Sequence, residues 1–361
     1  MKSGKSLVEL AKTLEHIKKN GKDFIVPTQK LTMDDKAQLV FQNGKEQILK
    51  PTGYAHGQIA GYTNIPKQYY DRIMMENPQL LSKNVNHGFD VASQKSRRDG
   101  KPESRMVRTV DGNVRAVLSS SYRRLDSFDL CNEVLPVIAD RGMEVISSEI
   151  TDTRLYIKAL SPKLTAEIQK GDVVQYGIVI SNSDVGAGSV RVEPLIYRLV
   201  CTNGMISDTA MKKFHVGKNQ AEENIMELLS EETLNLTDAA FWATVRDVTL
   251  SSLRPEIFER EVNRIRAAAN QKITNFNVPE VVELAMKATG TSGENVKDTM
   301  IGYLANGADG AGLTRWGLAN AYTYAAHKDE KMGYDQSIEL ERAGAKVLTL
   351  SEQQWKRVAN E

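Results

Sequence analysis

The stretch VVQYGIVISNSDVGAGSVRVEPLIYRLVCTNGMISD, residues 173–208, decides the fold of this chain. It contains one apolar run at residues 173–182, a turn rich in glycine, serine and asparagine, and a second apolar run at residues 190–200. Apolar runs of this length between turn residues are typical of buried β-strands. We therefore predict two neighbouring strands joined by the loop around Gly186 and Gly188.

The residues on the N-terminal side of this stretch extend the pattern. Strands are predicted at about 144–150 and 154–160, and a helix over FDLCNEVLPVIAD, with Ser127 as its N-cap. Asp111-Gly112 is a strong hairpin signal within residues 105–118. Residues 105–208 together predict two strands, one helix and four strands, an antiparallel meander with the helix packed across it.

From about residue 218 the strand pattern gives way to helix-length pieces with a period near 3.6, which glycines and prolines separate. The predicted fold class is α+β: an antiparallel sheet with a packed helix, followed by an α-helical C-terminal region. We predict a mixed α+β domain at residues 1–217 and an acidic helical domain at residues 218–361. The first carries 31 basic and 24 acidic residues, and the second 16 basic and 22 acidic ones.

This uneven charge suggests that one half of the chain binds an anionic partner, although an uneven solvated surface would look the same. The apolar content of 41% is ordinary for a globular protein. Cys131 and Cys201 both sit in apolar runs, which favours free thiols in the reducing cytoplasm. No secretion signal and no apolar window of about 18 residues is present, so we expect no contact with a membrane.

The strongest chemical signal is the basic stretch at residues 95–124, which holds nine basic and three acidic residues. Arginine and lysine neutralise phosphates, and a tyrosine ring offers a face on which a base can stack. The predicted nucleic-acid-binding residues are Arg97, Arg98, Lys101, Arg105, Arg108, Arg115, Tyr122, Arg123 and Arg124. Alternatively, these arginines pair with the acidic C-terminal half of the chain.

Neither a metal nor a cofactor is predicted. The five histidines do not lie at zinc-ligand spacings, and no Cys-x-x-Cys motif occurs. The Gly186-x-Gly188 pair lacks the third glycine and the following helix of a dinucleotide fingerprint. One enzymatic alternative stays open, in which Asp126, Asp129 and Glu133, or His87 and Asp90, bind a metal ion.

Three blocks of the chain resemble the phage- and plasmid-borne family 932 among the domains of unknown function. Residues 105–130, RMVRTVDGNVRAVLSSSYRRLDSFDL, are similar to its central block, in which the wording VRT…RAxLSxxYRxLD recurs. Residues 65–87 resemble its N-terminal helix region, and residues 312–344 its C-terminal block. The resemblance implies an origin in a phage, prophage or plasmid, and it brings no catalytic residues with it.

The order helix, strand, strand, strand over LDSFDLCNEVLPVIADRGMEVISSEITDTRLYIKAL and VVQYGIVISNS is similar to the core of the single-strand annealing proteins. That resemblance implies rings or filaments in which a basic groove holds DNA. Those proteins continue with a long basic helix, whereas VRVEPLIYRLV has the pattern of a strand.

These observations predict a non-enzymatic, single-stranded-DNA-binding protein that oligomerises and acts in annealing or recombination for a phage or mobile element. A host or phage replication or recombination protein is a further expected partner. The first alternative is an accessory or counter-defence factor that binds a host protein. The second is a metal-dependent enzyme that acts on nucleic acid.

Overall fold

The computed structural model describes residues 4–94, 102–207 and 230–360, and it contains two β-sheets with helices packed on them. The N-terminal segment forms α1 (Leu7–Asn20), β1 (Gly21–Pro27), β2 (Thr32–Met33), β3 (Leu39–Asn43), β4 (Lys45–Pro51), α2 (Gly53–Tyr62), α3 (Lys67–Glu76), α4 (Pro78–Ser93), β5 (Ser104–Val110) and β6 (Asn113–Ser119). Its strands make the first sheet in the order β1-β5-β6-β4-β3-β2. Only the β4–β6 pairing in this sheet is parallel.

The middle of the chain forms α5 (Ser127–Asp140), β7 (Glu144–Ile150), β8 (Leu155–Gln169), β9 (Asp172–Asn182), β10 (Arg191–Arg198) and β11 (Asn203–Ile206). These five strands make the second sheet, an antiparallel meander in the order β11-β10-β9-β8-β7. The C-terminal part of the chain is helical, with α6 (Glu231–Ser252), α7 (Pro255–Asn270), α8 (Val278–Thr289), α9 (Glu294–Ala305), α10 (Arg315–Lys328), α11 (Tyr334–Thr349) and α12 (Glu352–Asn360).

Helices cover both faces of the second sheet, because the strands are apolar on both sides. Leu155, Ile157 and Ala159 of β8 point to the face that α1, α5 and α6 cover. Tyr156 and Leu160, which alternate with them, point to the opposite face, against α11. The sheet therefore forms the middle layer of three.

Two buried ion pairs of opposite polarity join α11 to the second sheet: a lysine of the sheet pairs with a glutamate of the helix, and a glutamate of the sheet pairs with an arginine of the helix. Lys158 of β8 and Glu193 of β10 both pair in register with Val179 of β9, so they lie in one row across the sheet. The ammonium of Lys158 lies 2.6 Å from a carboxylate oxygen of Glu341, and a guanidinium nitrogen of Arg342 lies 2.6 Å from Glu193. Burial removes water from these charges, so each depends on its partner.

The α+β fold class predicted from the sequence is confirmed, but one part of the expected meander is different. The hairpin of β5 and β6 belongs to the first sheet, where β5 pairs with β1 from Gly21 to Pro27. The sequence predicts four strands after the helix, whereas the second sheet has β11 as a fifth strand. Local periodicity identifies a strand but carries no information on its distant partner, which explains the misplaced hairpin.

The predicted domain boundary at residues 217/218 lies outside the described residues. The C-terminal helices nevertheless pack directly on the second sheet, since Tyr176 of β9 and Phe258 of α7 place their ring centroids 5.3 Å apart. The assignment of two domains remains a prediction. None of the helices in the described ranges has the length and apolar character that crossing a bilayer requires.

Candidate functional site

A cleft of about 180 Å³ opens where α1, the first sheet and the start of α5 meet. Its wall carries charges of both signs on Lys18, Asp23, Arg108, Arg115, Asp126 and Asp184. Leu14 and Ile17 of α1, Val110 of β5 and Phe128 of α5 supply apolar surface to the lining. The cleft contains two of the nine residues that the sequence predicts for nucleic-acid binding, Arg108 and Arg115.

The loop at residues 183–187 follows β9 of the second sheet, contacts the first sheet, and places Asp184 in this cleft. Val185 at its centre packs against Leu118 of the first sheet, and its carbonyl accepts a hydrogen bond of 2.8 Å from Gln58 Nε2. Gly186 has a φ of +80°, and a Cβ there would lie 2.6 Å from Leu118. A side chain at this position would therefore displace the Leu118 side chain, and the positive φ is a conformation that residues other than glycine rarely adopt.

Asp184 is buried, with 6% of its surface exposed, and it caps the start of α5. Its Oδ1 accepts hydrogen bonds from the amide of Ser127 at 2.8 Å and from the Ser127 hydroxyl at 2.6 Å. Burial, reinforced by the negative charge of Asp126, raises the pKa of the Asp184 carboxyl. The sequence predicts Ser127 as the N-cap of α5, but Asp126 occupies that position. The carboxylate that accepts hydrogen bonds at this helix start is that of Asp184, which comes from a distant loop.

Arg108 is the most constrained of the predicted phosphate contacts. Its Nε lies 2.9 Å from Asp23 Oδ1, and its Nη1 lies 2.8 Å from Asp126 Oδ1. The same Nη1 donates a hydrogen bond of 2.8 Å to the Asp184 carbonyl. With three acidic or carbonyl partners and a side chain that is 13% exposed, Arg108 holds the cleft together.

Arg115 lines the cleft, and Arg124 lies beside it through its contact with Asp23. Arg124 is half exposed, and its Nε lies 2.8 Å from Asp23 Oδ2, so the Asp23 carboxylate bridges Arg124 and Arg108. Arg115 Nη1 is 4.0 Å from the nearest oxygen of Asp184, a loose contact. Because Arg124 is exposed and Arg115 is loosely paired, an added anion reaches these two guanidinium groups more easily than that of Arg108.

Lys18 and Phe128 complete the mouth of the cleft. The Lys18 ammonium lies 5.6 Å from the centroid of the Phe128 ring and 3.5 Å from Asp129. Half of the Lys18 side chain is exposed, so its charge faces solvent. The sequence predicts the stacking ring at Tyr122, whereas the cleft places Phe128 beside the Lys18 ammonium.

Tyr122 and Arg123 make contacts within the protein. The Tyr122 hydroxyl donates a hydrogen bond of 3.1 Å to the carbonyl of Ser183, and burial raises the pKa of its phenol to about 12. Arg123 forms an ion pair with Asp238 of α6. Among the arginines in the described part of the basic stretch, Arg123 is the one that fits the alternative of pairing with the acidic C-terminal half.

Arg105 lies on the other face of the first sheet. It is three residues from Arg108 on the same strand, and an odd spacing puts the two side chains on opposite faces. Its guanidinium stacks on the Tyr62 ring at 3.6 Å and pairs with Glu103 at 2.8 Å. The structure therefore does not bring Arg105 into the cleft. Arg97, Arg98 and Lys101 lie outside the described residues.

The carboxylates proposed as metal ligands have separate cationic partners. Asp126 pairs with Arg108, Asp129 lies near Lys18, and Glu133 lies 4.0 Å from Arg246. His87 and Asp90, the second candidate set, are both exposed on α4. Within the part of the chain that the structure describes, no three His, Cys, Asp or Glu side chains form a group suited to a metal ion.

Sequence reasoning missed the two carboxylates that organise the cleft, Asp23 and Asp184. Asp23 directly precedes the apolar residues of β1, and Asp184 sits in the loop between two apolar strands. The side chain of Asp23 is 18% exposed and that of Asp184 is 6% exposed, and both face arginines far away in the sequence. An acidic residue directly beside an apolar run was the available signal, since such a residue needs a partner if the run draws it into the interior.

The chain belongs to the family described as Domain of unknown function (DUF932), whose model matches residues 116–357. The matched range includes Asp126, Phe128 and Asp184, whereas Asp23 and Arg108 precede it. Residues 65–87, which resemble the family's N-terminal helix region, also precede it. No curated protein and no solved structure matches the chain.

Proposed function

We propose that this protein binds single-stranded DNA at the cleft and acts in annealing or recombination for a phage or mobile element. One observation carries the proposal: Lys18, Arg108 and Arg115 line one open cleft with the ring of Phe128, and Arg124 lies beside it on the Asp23 carboxylate. Cationic groups neutralise the phosphates of a single strand, and an aromatic ring stacks on its bases. Cys131 and Cys201 are free thiols, which fits action in the reducing cytoplasm.

A bound DNA strand would place a phosphate where the Asp23 carboxylate now contacts the arginines. In the free protein this carboxylate bridges the guanidinium groups of Arg108 and Arg124, at 2.9 and 2.8 Å. A phosphate has the same charge sign and the same ability to accept bidentate hydrogen bonds from arginine. Binding then exchanges one anion for another, and it needs no rearrangement of the buried arginine side chain.

The order of elements supports the annealing part of the proposal. The helix α5 is followed by the antiparallel strands β7, β8 and β9, the order that resembles the core of the single-strand annealing proteins. The next element is the strand β10, where those proteins have a long basic helix. Annealing itself is therefore to be measured separately from binding.

The double substitution Arg115→Ala and Arg124→Ala is expected to weaken binding of a labelled single-stranded oligonucleotide by about tenfold or more. Each lost phosphate contact also lowers the slope of log affinity against log salt by about 0.7 for a single strand. Fluorescence anisotropy across a salt series measures both quantities. The control is Arg72→Ala with Arg141→Ala, which removes two exposed arginines away from the cleft. Unchanged affinity and slope, or no binding at about 0.1 M salt, would turn attention to a host-protein partner.

Asp23→Asn is expected to have the opposite sign and to strengthen binding about threefold to tenfold. The amide keeps the shape of the carboxylate but no longer competes with phosphate for Arg108 and Arg124. The same anisotropy titration measures the gain, and Asp140→Asn, at an exposed position at the far end of α5, controls for the loss of one negative charge. Weaker binding by Asp23→Asn than by the unmodified protein would mean that Asp23 positions the arginines rather than competing for them.

A further inference from the structure

The second half of β8 has no partner strand on the side of β7 among the residues that the structure describes. β7 pairs with β8 only from Leu155 to Leu160, although β8 continues to Gln169. From Thr165 onward β8 pairs with β9 on its other side. No strand of residues 4–94, 102–207 or 230–360 pairs with residues 161–169 on the side of β7. An edge of this kind leaves backbone donors and acceptors for another strand.

The side chains of this segment alternate as those of a half-covered strand do. Lys163, Thr165 and Glu167 are exposed, whereas Leu164 and Ala166 are half-buried. A groove of about 460 Å³ runs between the segment and α7, and Leu164 and Ala166 form part of its wall. The segment also contains Pro162, which has no amide hydrogen and is tolerated at sheet edges.

The segment is complementary to itself in the antiparallel direction. If two copies pair about a two-fold axis at Thr165, Lys163 of each copy lies opposite Glu167 of the other. The same register sets Leu164 opposite Ala166 on the half-buried face. Opposite charges directly across an antiparallel pair stabilise it, and like charges destabilise it. The charges thus favour a second copy of this chain over an unrelated strand.

We propose that residues 161–169 form the interface of a homodimer, in which two copies of β8 pair antiparallel and join two five-stranded sheets into one. Such an interface is isologous, so each protomer contributes the same surface. The Glu167 side chain has capacity for this contact, because its Oε1 accepts a hydrogen bond from the Gly171 amide while Lys163 of the second copy approaches Oε2. Arg266 already donates one hydrogen bond to the Glu167 carbonyl. A carbonyl oxygen has two lone pairs, so this oxygen still has capacity for a hydrogen bond from the second strand.

The test is the oligomeric state of the full chain without DNA, measured by sedimentation equilibrium over a range of concentrations. Glu167→Lys places lysines opposite lysines and is expected to raise the dimer dissociation constant at least about tenfold. The double substitution Lys163→Glu with Glu167→Lys reverses both charges and is expected to restore the constant to within about threefold. Glu330→Lys makes the same change of charge at an exposed position elsewhere and should leave the constant unchanged.

A chain that stays monomeric at all concentrations overturns the proposal. So does a dimer that Glu167→Lys does not weaken, or one that the double charge reversal fails to restore. Circular dichroism of each variant separates loss of assembly from loss of folding. Because DNA is absent, these outcomes are independent of the proposed function.

Discussion

Replacing Glu341 with alanine is expected to lower the free energy of unfolding by about 3–5 kcal/mol, the usual cost of removing one partner of a buried ion pair. The side chains of Lys158 and Glu341 are 2% and 0% exposed, and both carboxylate oxygens accept hydrogen bonds from the Lys158 ammonium at 2.6 and 2.7 Å. Without Glu341, the ammonium remains in the interior with no counter-charge. Denaturation by urea, followed by circular dichroism, measures the loss.

A double substitution distinguishes a missing partner from a missing side chain. Lys158→Met with Glu341→Leu removes both charges and keeps most of the volume, so it is expected to recover most of the lost stability. Glu283→Ala breaks the more exposed pair with Lys297, whose atoms are 3.0 Å apart, and should change stability little. A loss below about 1 kcal/mol for Glu341→Ala would show that water reaches this ion pair.

The same pair predicts how stability responds to acid. Burial alone would raise the pKa of the Glu341 carboxyl, but the Lys158 ammonium and a contact from His327 lower it below its ordinary value. A depressed carboxyl pKa contributes stability that is present above the unfolded value, about 4.3, and is lost as the pH falls through the folded one. The Lys158→Met, Glu341→Leu protein should therefore lose less stability below pH 4.3 than the unmodified protein.

Gly177→Ala is expected to cost at least about 3 kcal/mol, the upper end of the range for overpacking a core. Gly177 lies in the middle of β9, opposite Leu160 of β8. A Cβ there would be 2.1 Å from the carbonyl oxygen of Ala159. A backbone carbonyl within a sheet cannot turn away as a side chain can, so the two strands must separate. Thermal and urea denaturation measure the effect.

Gly302→Ala is the matched control for this change. Gly302 lies inside α9, where a Cβ meets nothing within 4 Å, and alanine favours a helix over glycine. This substitution should raise stability by about 0.5–1 kcal/mol. If both changes to alanine shifted stability alike, the space around Gly177 would not be the cause.

Features encoded by neighbouring residues could be predicted from the sequence. The hairpin at Asp111-Gly112 is an example: both residues have positive φ, as a two-residue hairpin loop requires. Gly44, with a φ of +71°, joins β3 to β4, where Asn43 pairs with Lys45. Apolar runs between turn residues also predicted the strands that became β9 and β10, and alternation of apolar and polar residues predicted the start of β8.

Contacts between distant residues could not be predicted in this way. The Lys158–Glu341 pair joins residues that are 183 positions apart, and the Asp23–Arg108 pair joins residues 85 apart. Charge counting found the arginines but could not identify the carboxylates that face them. The placement of Arg105 and Arg108 on opposite faces could have been predicted from the sequence, since a spacing of three on one strand places side chains on opposite faces.

The loop at residues 183–187 gives the family match a further meaning. The matched range begins at Ala116, in the middle of β6, so its start falls inside the β5–β6 hairpin. Yet Val185 and Asp184, inside the range, find their partners at Gln58 and Arg108, outside it. The contacts that hold this loop therefore cross the start of the matched range. A fragment that begins at Ala116 would lack Gln58 and Arg108, and with them the side chains that fix the position of Asp184.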